Sequence, residues 1–412
     1  MTVWIIEPHD PLIVRDGRPF GPDPDARAIS LPFPFPSTTT GGVRTRAGQH
    51  KGIFELEDRE KRQTQITNLK EISVRGPFLV QLTPDNSSIE INKMLVPAPR
   101  DALLFAPQAS THKEMALIQH LVPLHLSEGA KTDFDQKDLL LVGQPSSNYD
   151  ERKPLEIAPN FWYWDTFIHW LLNPTYYSGK EMALSTIGIR GLQSQQRTHV
   201  SIDAKKEVAR DGMLFQTSGL EFTLPGNSEH RLSDARQLAL AVAVEARHDF
   251  SLHPGIASFG GERRIVMWRE SRIDLPSCPE TLEQTIVTNK ACRILLLTPA
   301  CFEQGYIPTW LYEEAVRANV RLELQAIAIQ RPQVVSGWDL DLKKPKTSRR
   351  LAPAGTVLFL SLQGSDKAIK GWIRSVWMQC ISDDEQDRKD GFGVVVVGTW
   401  FDNHNDVKGK QE

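Results

Sequence analysis

Cys292-Arg293-Ile294-Leu295-Leu296-Leu297 predicts a continuous apolar strand, and the order of the segments after it decides the fold. A helix-like pattern, two strand-like runs, a second helix and a last strand follow it along the chain. The second helix carries Ile369, Ile373 and Val376 on one face. The predicted elements therefore run β-α-β-β-α-β, at Cys292–Leu297, Trp310–Ala318, Leu322–Ile329, Thr356–Leu362, Asp366–Trp377 and Val394–Val397.

This order is typical of ferredoxin-like, or RRM-like, domains. The preceding residues fit it less regularly, and the proline-bearing segment Asp274–Glu280 marks a boundary between the two parts. We therefore predict an α+β protein with two tandem ferredoxin-like βαββαβ domains and insertions in the first. The predicted divisions are residues 1–275, with an insertion at about 97–184, residues 285–402, and a polar tail at 403–412.

Local patterns predict several elements of the first domain. Ser37–Thr40 offers N-cap candidates for a short helix that runs through Ala47. Leu31–Pro36 must be extended, because each proline disfavours the helical region for the residue before it. The aromatic stripe from Phe161 to Leu171 is more typical of a core than of a base-stacking platform. Strands are predicted at Val3–Glu7, Val74–Leu82, His199–Asp203 and Ile265–Trp268.

Two further predictions concern the centre of the chain. Gly212–Phe215 and Leu220–Leu224 suggest a hairpin that turns at Thr217-Ser218-Gly219. Ser233-Asp234 suggests the cap of a helix through Ala246, because this segment is rich in Ala and Leu.

Composition limits the class of protein. The 412 residues include 48 Lys+Arg and 51 Asp+Glu, a formal charge of −3, which excludes a histone-like polycation but not a local basic groove. The four cysteines form no CxxC pair, so we expect reduced thiols rather than a disulfide scaffold or zinc ribbon. The sequence opens without a signal-peptide pattern, and no apolar run approaches the roughly 20 residues that span a bilayer. We therefore expect a cytoplasmic protein that has no membrane partner.

Motifs of common enzymes are missing from the sequence. It contains no GxxxxGK[ST], no GxGxxG that opens a helix after a strand, no HExxH and no GxSxG. Asp383-Asp384-Glu385 lies in a polar stretch and favours a solvated surface over a metal site. No aromatic RNP signature supports base stacking of the RRM type. We expect no metal and no cofactor.

Loops that combine glycine with arginine are the positive feature. Gly260-Gly261-Glu262-Arg263-Arg264 is predicted to join a helix to a strand. Its glycines let the backbone approach a polyanion, and one arginine could bind phosphate while the other pairs with Glu262. An ordinary tight turn with surface charges is an equally good interpretation. Lys343–Arg350, with five positive charges, favours a solvated loop over an RNA or protein contact.

Further candidates for contact with a polyanion are spread over the chain. Arg15 and Arg18 flank Asp16-Gly17, where a Gly-Pro turn pinned by an Asp–Arg pair is the alternative. Arg44 and Arg46 follow glycines at a helix start, where backbone N–H groups also suit phosphate. Arg190, Arg197 and His199 precede or enter a strand. His199 is in addition the candidate acid or base of a metal-independent ribonuclease, although a lone histidine is a weak signal.

Four motifs, in order, resemble one known family. Glu7-Pro8-His9-Asp10-Pro11-Leu12 through Arg15–Phe20, His199–Asp203 with Asp211–Phe215, Gly260–Arg264, and Asp390-Gly391-Phe392-Gly393 with Gly398 are similar to signatures of the third Cmr subunit. That subunit is a RAMP-superfamily protein of type III-B CRISPR effector complexes. The stretch Pro97–Leu184 and the run Lys343–Arg350 carry no motif of the family.

The resemblance implies two fused RRM-like domains and a non-catalytic role. It implies that the protein grips the 5′ repeat-derived handle of the guide RNA and touches the large polymerase/cyclase-like subunit and the first backbone subunit. A RAMP-type endoribonuclease that processes repeat RNA is the alternative. The predicted RNA-binding residues are Arg15, Arg18, Arg44, Arg46, Arg190, Arg197, His199, Gly260, Gly261, Arg263, Arg264, Gly391 and Gly393.

Overall fold

The computed structural model describes residues 1–15, 27–28, 30–83, 91–107, 114–124, 129, 132, 139–145, 149–224, 235–246, 250–339, 344–345 and 347–401. Arg18 and the predicted tail at 403–412 lie outside these ranges. The helices are α1 (Pro36–His50), α2 (Arg59–Lys70), α3 (Trp164–Leu172), α4 (Leu184–Ile187), α5 (Glu280–Asn289), α6 (Thr309–Arg317), α7 (Asp366–Val376) and α8 (Glu385–Lys389), with a 3-10 turn at Ile53–Glu55.

More of the described residues lie in strands than in helices. In chain order they are β1 (Thr2–Pro8), β2 (Arg27–Ala28), β3 (Ser73–Leu82), β4 (Ile91–Pro97), β5 (Ala102–Phe105), β6 (Met115–His120), β7 (Val122–Leu124), β8 (Leu141–Gly143), β9 (Phe161–Tyr163), β10 (Glu181–Ala183), β11 (Gly188–Ile189), β12 (Gln193–Asp203), β13 (Val208–Glu221), β14 (Thr223–Leu224), β15 (Arg236–Glu245), β16 (Gly255–Phe259), β17 (Arg264–Glu270), β18 (Ala291–Leu296), β19 (Arg321–Ala328), β20 (Gln333–Val335), β21 (Trp338–Asp339), β22 (Lys344–Pro345), β23 (Arg349–Leu351), β24 (Val357–Gln363) and β25 (Val395–Thr399).

The C-terminal part of the protein, residues 280–401, has the predicted order of elements. Its sheet runs β19-β24-β18-β25, and each neighbouring pair is antiparallel. Helix α6 connects β18 to β19, and α7 connects β24 to β25. The apolar face of α7 is buried through Ile369, Trp372 and Ile373, as its sequence pattern predicts.

The N-terminal part, residues 1–275, forms a larger sheet in the order β11-β9-β4-β3-β15-β1-β17-β16, with β14 beside β15. Its centre, β3-β15-β1-β17, repeats the strand order of the C-terminal sheet. In the described residues between β15 and β17 there is a strand, β16, and no helix. The protein is thus a mixed α/β chain with antiparallel sheets.

The helix predicted from Ser233 through Ala246 is wrong, because Arg236–Glu245 forms strand β15, and the predicted cap Ser233-Asp234 lies outside the described residues. Its residues from Leu238 to Val244 are almost completely buried, and β1 and β3 pair with it on its two sides. A strand that is covered on both faces has a continuous apolar sequence, so the alternation that would reveal a strand is lost. The helix propensity of alanine and leucine then misleads, since tertiary packing overrides it.

Strand β1 shows how the N-terminal sheet lies between two layers. Trp4 and Ile6 join a core with Val43 of α1 and Leu69 of α2. Val3 and Ile5 belong to a second core that extends through the C-terminal sheet to Trp400. The division near residues 275–285 remains a prediction, and the second core is shared by both parts of the chain.

Helix α1 begins earlier than predicted. Phe35 is its N-cap and Pro36 its first residue, so Ser37–Thr40 does not cap the helix. Proline suits this position because its φ angle is already helical and it has no N–H to leave unpaired. Thr40 instead lies inside the helix, where its hydroxyl donates to the carbonyl of Asp390 at 2.7 Å.

The aromatic stripe is confirmed as core. Trp162, Phe167, Trp170 and Leu171 are all fully buried, where α3 packs between the two parts of the protein. The hydroxyl of Thr399 donates to the carbonyl of Leu172 at 2.9 Å and so joins β25 to the end of this helix.

A buried polar cluster lies beside α3. The Arg293 guanidinium, completely buried in β18, donates to the Asp101 carboxylate, to the carbonyl of Trp170 at 2.6 Å and to that of Thr399 at 2.7 Å. Burial alone would raise the pKa of Asp101, but Arg293 and the nearby His120 together hold it below its ordinary value. The cluster therefore joins Asp101 of the N-terminal part to Arg293 of the C-terminal part through fully paired charges.

Candidate nucleic-acid interface

Strands β12 and β13 form a long hairpin that projects from the sheet, with most of the side chains of β12 exposed. The hairpin predicted to turn at Thr217-Ser218-Gly219 is wrong, because those residues pair with β12 in the middle of β13. The turn lies at 204–207, where the backbone N–H of Lys205 donates to the Asp203 carboxylate at 2.9 Å. Gly219 has a packing role instead, since a Cβ there would lie 2.8 Å from the Cβ of Pro11.

The N-terminal loop, Leu12–Arg15, lies at the base of this hairpin. Leu12 and Leu220 exchange backbone hydrogen bonds of 2.7 and 2.9 Å. On the other side, the N–H of Gly261 donates to the carbonyl of Ile13 at 2.7 Å. Gly260 has a φ of +71°, and a Cβ there would lie 2.8 Å from the same carbonyl, so glycine is required. The loop thus connects the Gly260–Gly261 motif to the base of the β12–β13 hairpin, and His199 lies further along that hairpin, paired with Phe215.

The segment Gly260–Arg263 is a turn between β16 and β17, so the prediction that it joins a helix to a strand is wrong. Arg263 lies in the turn with a φ of +51°, and its side chain is exposed. Arg264 begins β17 and forms an ion pair with Glu262 at 2.9 Å. One arginine is therefore neutralised within the turn and the other faces solvent.

Arg197 and His199 lie on the same strand of the hairpin, two residues apart. The Nε2 atom of His199 is 2.9 Å from the hydroxyl of Thr217, and its ring stacks on Phe215 at 5.1 Å between centroids. Arg197 is exposed and donates to Gln195 at 3.0 Å. Val200 and Leu214, which pair across the strands one position further on, are exposed aliphatic side chains. The hairpin therefore offers an aromatic and basic face and an aliphatic face.

Other predicted residues have contacts within the protein. Arg44, only 13% exposed, pairs with Asp390 at 2.6 Å and donates to the carbonyls of Lys70 and Ile72. Arg46 donates to the carbonyls of His253, Pro254 and Ile256, and burial lowers the pKa of its guanidinium. Both side chains hold α1 against neighbouring segments.

Gly391 is buried at the boundary between the two parts of the protein, and Gly393 is buried within the C-terminal part. Gly391 has a φ of +94°, and a Cβ there would lie 2.8 Å from the carbonyl oxygen of Gly76. Gly393 has a φ of +84° and faces the backbone N–H of Ser382. Their predicted contact with RNA is untested, and their observed role is close packing.

Arg15 is the last residue of the N-terminal loop Leu12–Arg15. Its side chain is exposed, and its backbone forms an isolated β-bridge with Ser30. Within the basic run, Arg349 pairs with Asp387 and lies over the ring of Phe392. The acidic stretch caps helices, since Asp383 accepts from the N–H of Trp310 at 3.0 Å and Asp384 from that of Asp387 at 2.9 Å.

Arg190 lies three residues before β12, at a cleft between the N-terminal and C-terminal parts. This central cleft has a volume of about 590 Å³. Arg100 and Arg331 also line it, and the sequence analysis singled out neither. The signal that could have revealed it is the extended segment Leu31–Pro36, whose phenylalanines alternate with prolines.

Two kinds of site are missing from the part of the chain that the structure describes. No three His, Cys, Asp or Glu side chains there are grouped so as to hold a metal ion. None of the helices in the ranges given above combines the length and the apolar character needed to cross a membrane.

Comparison with known proteins identifies the family. The family model described as CRISPR-associated protein (Cas_Cmr3) matches residues 4–400. The chain therefore belongs to this family of CRISPR-associated proteins. A search among curated proteins found no match.

Solved structures show more distant similarity. A chain of the type III-B Cmr-beta complex bound to cognate target RNA and AMPPnP is 14% identical, with a TM-score of 0.43, over 87% of this chain and 86% of that one. A chain of the Cmr-beta complex bound to cognate target RNA is 16% identical, with the same coverage and TM-score. A chain of the Csm3–Csm4 subcomplex of type III-A is 12% identical, with a TM-score of 0.32, over 87% of this chain and 92% of that one.

Proposed function

We propose that the protein is the subunit of a type III-B complex that holds the 5′ repeat-derived handle of the guide RNA and performs no cleavage. The observation that carries this proposal is the convergence of the N-terminal loop, the Gly260–Arg263 turn and the β12–β13 hairpin. Exposed arginines beside glycine-rich backbone suit an RNA that is recognised by its phosphates and shape.

The role of each contact follows from its geometry. Arg263 supplies the charge of the turn, because Glu262 already neutralises Arg264. Arg197 and the stacked His199 supply a second basic and aromatic surface on the hairpin. Hydrogen bonds from Gly261 to Ile13 and between Leu12 and Leu220 connect the turn to the base of the hairpin.

The finer fold and the partners belong to the same proposal. We interpret β3-β15-β1-β17 and β19-β24-β18-β25 as two ferredoxin-like units, because the strands occur in the same spatial order. The second helix of the first unit is replaced in this interpretation by β16. The large polymerase/cyclase-like subunit and the first backbone subunit are the proposed protein partners.

RNA that co-purifies with the tagged protein from its native host tests the proposal. Wild type should enrich guide RNAs with intact 5′ handles, and Arg263→Ala should reduce the enrichment several-fold without lowering the thermal stability. Arg317→Ala is the matched control, since Arg317 is also exposed, on α6. RNA at background in the wild type, or equal enrichment in Arg263→Ala, would contradict the proposed role.

His199→Ala separates this role from that of an endoribonuclease. A non-catalytic subunit should yield guide RNAs of the same length in wild type and variant. Longer guides or accumulated precursors in His199→Ala would instead make the protein a processing enzyme.

A further inference from the structure

The central cleft lies where the two parts of the protein meet. Its walls are Leu31–Pro36, the ends of β4 and β9, and the turn residues Pro353 and Ala354. A volume of about 590 Å³ falls within the roughly 300–1,000 Å³ of small-molecule sites. The cleft is therefore large enough for one nucleotide rather than for a folded partner.

Aromatic rings line one wall of this cleft. Phe33 and Phe35 both line the cleft, and the backbone of Phe35 is extended immediately before α1. Phe161 lies 5.1 Å from Phe33 between ring centroids. Phe33 is only partly buried and offers a flat apolar surface of the kind on which nucleobases stack.

The charge of the cleft has one sign. Its described lining contains three arginines, Arg100, Arg190 and Arg331, and no carboxylate. The whole chain carries a net charge of −3, so the absence of acids from so large a lining is a local feature. An anion is the ligand that this lining suits.

Arg100 is the most informative of the three. Its backbone N–H donates to the carbonyl of Gly355 at 2.9 Å, which fixes the residue across the boundary. Burial lowers the pKa of its guanidinium, and no described residue accepts a hydrogen bond from its buried Nε. A half-buried charge without a partner costs stability unless a ligand supplies one.

The cleft is continuous with the hairpin. Arg190, Gly191 and Leu192 line both this cleft and a neighbouring depression that reaches Gln193, the first residue of β12. An RNA strand that lies along β12 would therefore reach the cleft by passing Leu192, Gly191 and Arg190.

We propose that the central cleft binds one unstacked nucleotide of single-stranded RNA, with its base against Phe33 and its phosphate on Arg100. This inference rests on the proposed RNA-binding function and locates a second contact for it. The stacking surface comes from Leu31–Pro36 and β9, not from the RNP positions of an RRM, which the sequence lacks.

Binding of labelled oligoadenylate to the full-length protein tests the cleft, measured as a function of salt concentration. Phe33→Leu, which keeps apolar volume, should weaken binding about fivefold or more at every salt concentration. Arg100→Gln should lower the slope of log K against log salt by about 0.7, the value for one phosphate contact on a single strand. Phe54→Leu and Arg317→Gln, both exposed and outside the cleft, are the matched controls.

The outcomes separate this inference from the proposed function. Unchanged binding in both cleft variants, with loss in Arg263→Ala, would overturn the cleft site and leave the RNA-holding role intact. Equal losses in the controls would also overturn it, because they would show a non-specific charge or folding effect. AMP that binds the cleft but fails to compete with oligoadenylate would assign the site to a free nucleotide instead. No binding of oligoadenylate by the wild type would overturn the site, whereas the co-purified RNA tests the function.

Discussion

Arg293 and Arg100 both lie between the two parts of the protein, yet their surroundings are opposite. Arg293 is completely buried and donates to the Asp101 carboxylate and two carbonyls. Arg100, adjacent to Asp101 in sequence, lines a cleft without a carboxylate, and its Nε has no described acceptor. The difference teaches that one region of this boundary is closed by its own paired charges, whereas the other leaves a guanidinium at an open cleft.

The largest effect is expected from Arg293→Met. The substitution leaves the buried Asp101 carboxylate without its guanidinium, which should cost about 3–5 kcal/mol of unfolding free energy. Urea unfolding measures this loss. Arg317→Met on exposed α6 is the control and should stay within about 0.5 kcal/mol of wild type. A loss below about 1 kcal/mol in Arg293→Met would show that the cluster contributes little.

Gly391→Ala tests how tightly the closed region is packed. A Cβ at this residue meets the carbonyl of Gly76, and its φ of +94° is unfavourable for alanine. We expect a loss of about 1–3 kcal/mol in unfolding free energy. In contrast, an added Cβ at Gly41 in helix α1 meets nothing within 4 Å. Gly41→Ala should therefore raise the unfolding free energy by about 0.5–1 kcal/mol. Equal effects at the two glycines would refute the packing argument.

The pH dependence of stability tests the charges around Arg293. Burial lowers the pKa of His120, which Asp101 raises and Arg293 lowers further. The unfolded chain therefore binds the proton more readily, so stability is complete above the ordinary histidine pKa and falls as the pH decreases below it. The slope should reach at most about 1.4 kcal/mol per pH unit below the ordinary histidine pKa of about 6.5.

His120→Gln should remove that slope in urea unfolding at the same pH values. Asp101 does not contribute within this window, because its pKa is held below its ordinary value. A wild-type slope that persists in His120→Gln would place the titrating group elsewhere.

The smallest effect on stability is expected from Arg100→Gln. The guanidinium has no described side-chain partner, so its removal should leave the melting temperature unchanged or raise it slightly, within about 0.5 kcal/mol. A clear loss of stability would show that Arg100 is a structural residue and would remove the contrast with Arg293.

Sequence reasoning predicted elements better than contacts. The C-terminal order was predictable because its helices are amphipathic and its strands are short apolar runs, as α7 and β18 show. Strand β15 was not predictable, because burial on both faces removes the alternation of apolar and polar residues that distinguishes a strand. The buried pair of Arg293 and Asp101 was not predictable either, because the two residues are 192 positions apart in the sequence.

The candidate site was predicted only as separate motifs. Local patterns identified Gly260–Arg264 and His199, but nothing in them shows that Ile13 pairs with Gly261 or that Leu12 pairs with Leu220 at the base of the hairpin. Gly219 resembled a turn residue and proved to accommodate Pro11. The central cleft was missed because its aromatic wall and its arginines come from five or more distant segments. Long-range contacts of this kind leave no local pattern.

Strand β1 has a consequence for the order in which this chain can fold during translation. Its only sheet neighbours in the described structure are β15 and β17, at residues 236–245 and 264–270. At roughly 5–20 residues per second, a ribosome needs about 10–50 s to deliver those partners after β1 has emerged. Until then Val3–Ile6 is an apolar segment without a place in a sheet, so a chaperone or transient local contacts must cover it.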